Sequence, residues 1–144
     1  MQNFPHHYQV SATGFVEGNI TVASGDLPSL QTASPPEFDG PPGLWSPETL
    51  LTAAVADCFI LTFRAVARAS KLEWSQIECQ ATGILDRIER VTSFTEMHIA
   101  VKLHLPAGGD AERAHRVVEK SEQACLITNS LKAKVVLEAE VVVG

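Results

Sequence analysis

The chain has 144 residues, 45% of them hydrophobic and 19% charged, with a net charge of −6 and a pI near 5.3. That composition suits one domain, 1–144, with a real core, and argues against extended disorder. No Lys/Arg-rich run is present, so nucleic acid is not an expected partner. The longest apolar segment, Leu50 to Val66, is interrupted by Asp57 and Arg64, which reads against a membrane span. Met1 to Val10 lacks the basic and apolar regions of a signal peptide, and the cytoplasm is the expected location. Cys58, Cys79 and Cys125 are too few, and odd in number, for a secreted disulfide framework.

Two short strands are expected first, around Tyr8–Thr13 and Asn19–Ala23, joined through Gly14 and Gly18. A weaker strand falls near Leu30–Ala33. Ser34 to Gly43 carries four prolines and two glycines and reads as a loop. Ser46-Pro47-Glu48-Thr49 then opens a helix: Ser46 suits the N-cap, Pro47 the first helical position, and Glu48 the positive end of the helix dipole. The helix runs to about Lys71. Its residues are apolar almost all round, with a narrow polar stripe of Asp57, Arg64, Arg68 and Lys71. A helix apolar on nearly every side is buried on nearly every side. One small domain can hardly supply that cover, which argues for a dimer packed over this helix.

Two long strands follow, about 74–88 and 94–105. In the first, Ile77, Cys79, Ala81 and Leu85 share a face. In the second, Thr95, Met97, Ile99, Val101, Leu103 and Leu105 oppose Glu96, His98, Lys102 and His104. Asp110 caps a second helix through about Ala124, with Ala114, Val117, Val118 and Ala124 as its apolar stripe. A last strand, Ala133 to Val143, alternates Ala133, Val135, Leu137, Ala139 and Val141 inward with Lys134, Glu138 and Glu140 outward. The order gives an α+β fold with a mainly antiparallel sheet and a long buried central helix.

Cys58 sits in the middle of the first helix, far from the dipole's positive end. It is either a core filler or a nucleophile served by groups from elsewhere. Cys125, at a helix end, has the same two readings and the more accessible position. Cys79 alternates with inward residues and reads as structural. Glu48 is accounted for by the dipole alone. As a functional group it would orient a cation beside a thiolate. Ten residues of helix, about 15 Å, separate it from Cys58, so the thiolate would be that of a partner helix. The five histidines form no metal set, and there is no Cys-x-x-Cys, no His-Glu-x-x-His and no phosphate loop.

Ser46-Pro47-Glu48-Thr49-Leu50-Leu51 followed by Ala53-Ala54-Val55-Ala56-Asp57-Cys58 resembles the signature helix of the OsmC/Ohr family. Cys125-Leu126-Ile127-Thr128-Asn129-Ser130-Leu131 resembles that family's second-cysteine motif, and the order of elements also matches. The resemblance implies an OsmC-like intertwined homodimer with two active sites at its interface. It implies a thiol-dependent peroxidase of oxidative-stress defence. Cys58 would attack an organic or other hydroperoxide, Cys125 would resolve the sulfenic acid to a disulfide, and an external dithiol would reduce the disulfide. Glu48 completes the implied catalytic set, and no metal, haem or flavin cofactor is required.

The chain departs from the pattern in three places. Its first hairpin, Thr13-Gly14-Phe15-Val16-Glu17-Gly18, lacks the arginine of the organic-hydroperoxide branch, and the first arginine is Arg64. Leu126 stands where proline follows the second cysteine, and Ser46 where asparagine is usual. Weaker peroxidase activity than that of an arginine-bearing relative is therefore expected. The alternative is a non-catalytic OsmC-like dimer that binds a small apolar ligand in the interface cavity.

Overall fold

The structure, a computed structural model, describes residues 1–144. The chain's contacts group into two compact units, Met1–Leu50 and Leu51–Gly144.

The first unit carries an antiparallel sheet of three short strands: β1 (Ser11–Thr13), β2 (Ile20–Ala23) and β3 (Leu30–Thr32), with Thr13 opposite Thr21 and Val22 opposite Leu30. β1 begins three residues later than the sequence suggests. Tyr8 instead packs edge-on to His6, which stacks on Phe4. The expected 34–43 loop contains one 3-10 turn, Pro36–Phe38. Gly40 is required there: a Cβ on it would lie 1.7 Å from the Ser34 carbonyl oxygen. No apolar side chain of residues 1–50 is buried; only Thr32 and Ser46 are.

Ser46 caps α1 (Pro47–Ala69) as expected. Its Oγ accepts from the Thr49 amide at 3.1 Å, and the Thr49 hydroxyl accepts from the Ser46 amide at 2.9 Å. This is a reciprocal capping box closed by threonine in place of the usual glutamate. At the other end, the Leu72 amide donates to Ala67 O and the Lys71 amide to Arg68 O, with Lys71 left-handed at φ 55°. That Schellman ending tucks Leu72 into the core and normally favours glycine at the left-handed position. Lys71→Gly is therefore expected to raise the unfolding free energy by about 0.5–1 kcal/mol, read by denaturant titration.

The second unit is a sheet of β4 (Gln76–Ile88), β5 (Val91–Leu105) and β6 (Lys134–Val143). β4 and β5 pair antiparallel. β6 runs parallel to β5 after the crossover helix α2 (Ala111–Ala124) and the short α3 (Leu126–Asn129). Asp110 caps α2 by accepting from the Arg113 amide. The core is the inner face of this sheet, with Met97, Ile99, Val101, Leu103 and Leu105 buried. It is covered by Val55, Phe59, Phe63 and Ala67 of α1 and by Ala114, Val117 and Val118 of α2. Trp74 closes its edge against Phe63, ring centroids 5.3 Å apart.

Two expectations are corrected. Leu85 does not share the buried face of β4: the register shifts at Ile84/Leu85 and leaves it 37% exposed. Ala124 is exposed, and Ser121 takes the inward place on α2. The long apolar segment lies in a helix with mean hydropathy 1.8 over 18 residues, long and apolar enough to cross a membrane by composition alone. The stripe of Val55, Phe59, Phe63 and Ala67, packed into a protein core, marks it as a core helix.

Candidate active site

Cys58 lies half-way along α1, but not on the stripe that meets the sheet. At 100° per residue it sits about 120° from the centre of that stripe, and it is half-buried. Its sulfur stands 3.8 Å from Thr62 Oγ1 on the next turn. On the side of α1 opposite the core stripe, Leu61 is 53% exposed.

Cys125 is the single extended residue between α2 and α3, at φ −68° and ψ 109°. Its amide donates to Glu122 O, and its carbonyl accepts from the Asn129 amide and the Thr128 hydroxyl. Its side chain is fully buried. The sequence reading that made Cys125 the more accessible thiol is thus reversed: the turn into α3 folds the helix end inward, while the middle of α1 stays partly open.

One hydrogen bond ties the two helices that carry these thiols. The Arg113 guanidinium, in the first turn of α2, donates to Ser70 O at the end of α1. Cys58 lies twelve residues back from Ser70, and Cys125 lies twelve residues on from Arg113. At 1.5 Å per residue each is about 18 Å of helix from that link. Cys58 and Cys125 thus lie on two helices that cover one sheet face and are tied at one end.

Cys79 faces inward on β4 and packs against the core, as its alternation indicates. Its thiol is pushed up to about 11, first by burial and then by the charge of Cys125. A thiol so raised is inert near neutrality. Between about 9, its ordinary value, and about 11 the folded protein keeps a proton that the unfolded chain has released. The stability this contributes is complete below that window and lost as pH rises through it. Melting temperature should fall across the window, and Cys79→Ala should flatten the fall. An unchanged pH profile would overturn this placement of Cys79.

Glu48 occupies the first turn of α1, half-buried, with Oε2 shielded from solvent. The ten residues of continuous helix between it and Cys58 keep the two apart within one chain. It borders an open, mostly apolar hollow of about 670 Å³ lined by Ile20, Val22, Phe38 and Leu50 among others. No three His, Cys, Asp or Glu side chains cluster in a way that could hold a metal ion. Thr62 was missed by sequence reasoning; its one signal was a hydroxyl four residues after a candidate nucleophile.

A long helix and a crossover helix on one face of a three-stranded sheet, one carrying a half-buried thiol and the other ending at a buried one, define an α+β protein of two sheets and a long helix. A family model described as OsmC-like protein matches residues 40–140. The chain belongs to the OsmC-like family. It is 28% identical over 140 residues to the uncharacterized protein YmaD of Bacillus subtilis, covering 94% of this chain and 93% of that one. It is 25% identical over 122 residues to Peroxiredoxin OsmC of Escherichia coli, covering 85% and 84%. An OsmC-like protein of unknown function from Vibrio cholerae has the same fold, with a TM-score of 0.86 at 16% identity over 94% of this chain and all of that one.

Proposed function

We propose that this chain is a cysteine-based peroxidase that reduces organic or related hydroperoxides in the cytoplasm as part of oxidative-stress defence. The Cys58 thiolate attacks the terminal peroxide oxygen. The O–O bond breaks, a sulfenic acid forms on Cys58, and the alkoxide leaves and takes a proton to become the alcohol. The Cys125 thiol then attacks the sulfenic sulfur; a Cys58–Cys125 disulfide forms and water leaves. An external dithiol restores both thiols by exchange. No bound cofactor takes part.

The observation that supports this reading is a half-buried Cys58 on α1 and a buried Cys125 at the end of α2, on two helices that cover the same sheet face. Cys125 is buried, so resolution requires its extended hinge between α2 and α3 to turn the sulfur toward α1. A relative named as a peroxiredoxin supports the same chemistry. The absent hairpin arginine supports slower turnover than that of an arginine-bearing relative.

The working unit is an intertwined homodimer. The first unit buries no apolar side chain, and only 22% of the most apolar 18-residue stretch of α1 is buried within one chain. Surface of that kind is covered by another copy. In such a dimer Glu48 belongs to the site of the partner's thiolate, where it would orient a cation. A second reading, a non-catalytic dimer that holds a small apolar ligand, is favoured by the hollow beside Glu48 together with the missing arginine.

One equivalent of an alkyl hydroperoxide separates the two readings. The peroxidase loses the Cys58 and Cys125 thiols while Cys79 remains, and peptide mapping recovers the Cys58–Cys125 pair. A Cys79 linkage overturns the assignment of Cys125, and an unchanged thiol count favours the ligand-binding protein.

A further inference from the structure

Four hydroxyl side chains within or at the ends of helices share one pattern. Thr49 donates to Ser46 O, Ser121 to Val117 O, Thr128 to Cys125 O and Ser130 to Leu126 O, each to a carbonyl three or four residues earlier. This is the usual use of such groups, since it satisfies the hydroxyl at little cost. Thr62 departs from it. Its hydroxyl contacts the sulfur of Cys58 instead, at 3.8 Å, and both side chains are half-buried.

We infer that the Thr62 hydroxyl donates to the Cys58 thiolate and holds it ionised and aimed. This rests on the reading of Cys58 as the attacking sulfur and names a group that the reading lacked. The other charges of the same chain offer little. On α1 itself Asp57, Arg64 and Arg68 are exposed. From the elements that share its core, the ionisable side chains turned inward are the thiols of Cys79 and Cys125. Arg113 is engaged at Ser70, about 18 Å along the helix. A thiolate in mid-helix, without the dipole's help, needs a donor close by. A hydrogen bond to an ionised acceptor is about twice as strong as one between neutral groups, so the hydroxyl favours thiolate over thiol.

The test uses the full chain in a Cys79→Ser, Cys125→Ser background and follows alkylation of Cys58 by iodoacetamide against pH. Thr62→Val and Thr62→Ala remove the hydroxyl, one keeping the shape and one reducing it, and Thr62→Ser keeps the hydroxyl. Loss of the donor should move the midpoint of the profile up by about one unit. At pH 7 the rate should fall about threefold, because tenfold less thiolate is partly offset by a more nucleophilic sulfur. The alkaline plateau should rise about threefold for the same reason. Thr62→Ser should restore the parent profile. A purely packing role would not lower one limb and raise the other. Unchanged profiles in the valine and alanine variants, or a serine variant shifted like them, would overturn the inference. Because no hydroperoxide enters this assay, its outcome is separate from that of the peroxidase reading: a threonine-dependent profile in a protein that leaves alkyl hydroperoxide untouched would overturn the peroxidase and leave the hydrogen bond standing.

Discussion

Replacing Cys58 with serine should lower hydroperoxide turnover by about a thousandfold or more, the largest activity loss expected of any single change. The serine hydroxyl matches the thiol in position but stays protonated at neutral pH and is a far poorer nucleophile toward an O–O bond. Cys125→Ser should behave differently. Its Cys58 can still attack once, so one equivalent of hydroperoxide is consumed before turnover stalls at a sulfenic acid that a dione probe can trap. Cys79→Ser should turn over at close to the parent rate, because a thiol held near 11 contributes no thiolate at neutral pH. Steady-state assays with an alkyl hydroperoxide and a dithiol reductant distinguish all three. Undiminished turnover in Cys58→Ser would remove the peroxidase reading altogether.

Most of the framework was legible because its signals are local. The Ser46 cap, the Asp110 cap and the strict alternation of β5 each depend on residues within a few positions, and each appears in the structure as expected. The β4–β5 turn was less legible. It is made by Glu89 and Arg90, both left-handed at φ 52° and 69°. Such a tight two-residue turn ordinarily announces itself with Asn-Gly or Asp-Gly. Without that signal β5 was expected to start at 94, and it starts at Val91. The bulge at Ile84/Leu85 left no trace in the pattern, since Leu85 continues the alternation of Ile77, Cys79 and Ala81 by spacing alone. At the site, the sequence offered three thiols in two motif contexts. It did not offer the turn at Cys125 that buries one of them, the Ser70–Arg113 link between the helices that carry two of them, or the contact of Thr62 with sulfur. Those depend on how α1 and α2 share one sheet face, which is a long-range property of the fold.

Leu61→Glu should convert a dimer to a monomer, and it tests the part of the architecture that one chain leaves open. Leu61 lies about 180° from the centre of the Val55, Phe59, Phe63 and Ala67 stripe at 100° per residue, and it is 53% exposed. Its side chain therefore contributes little to the core of its own chain, and a glutamate there leaves that core intact. Ala54, Cys58 and Ala65 lie on the same side of α1, beside the charged Asp57, Arg64 and Arg68, and none of them is fully buried. If a second copy covers this side, two-fold symmetry brings in two carboxylates, for which Arg64 and Arg68 of the same helix are the nearest cations. Taking a charge out of water costs several kcal/mol even when it is paired, and at about 1.4 kcal/mol per tenfold the dissociation constant rises by at least a hundredfold. Sedimentation at low micromolar concentration should show a dimer for the parent chain and for Leu61→Met, which keeps the volume and the apolarity, and a monomer for Leu61→Glu. On the proposal that Glu48 serves the partner's thiolate, activity should fall with the dimer. A parent chain that sediments as a stable, folded monomer would sink both the interface and the shared site, and a Leu61→Glu variant that stays dimeric would place the interface on another face of the molecule.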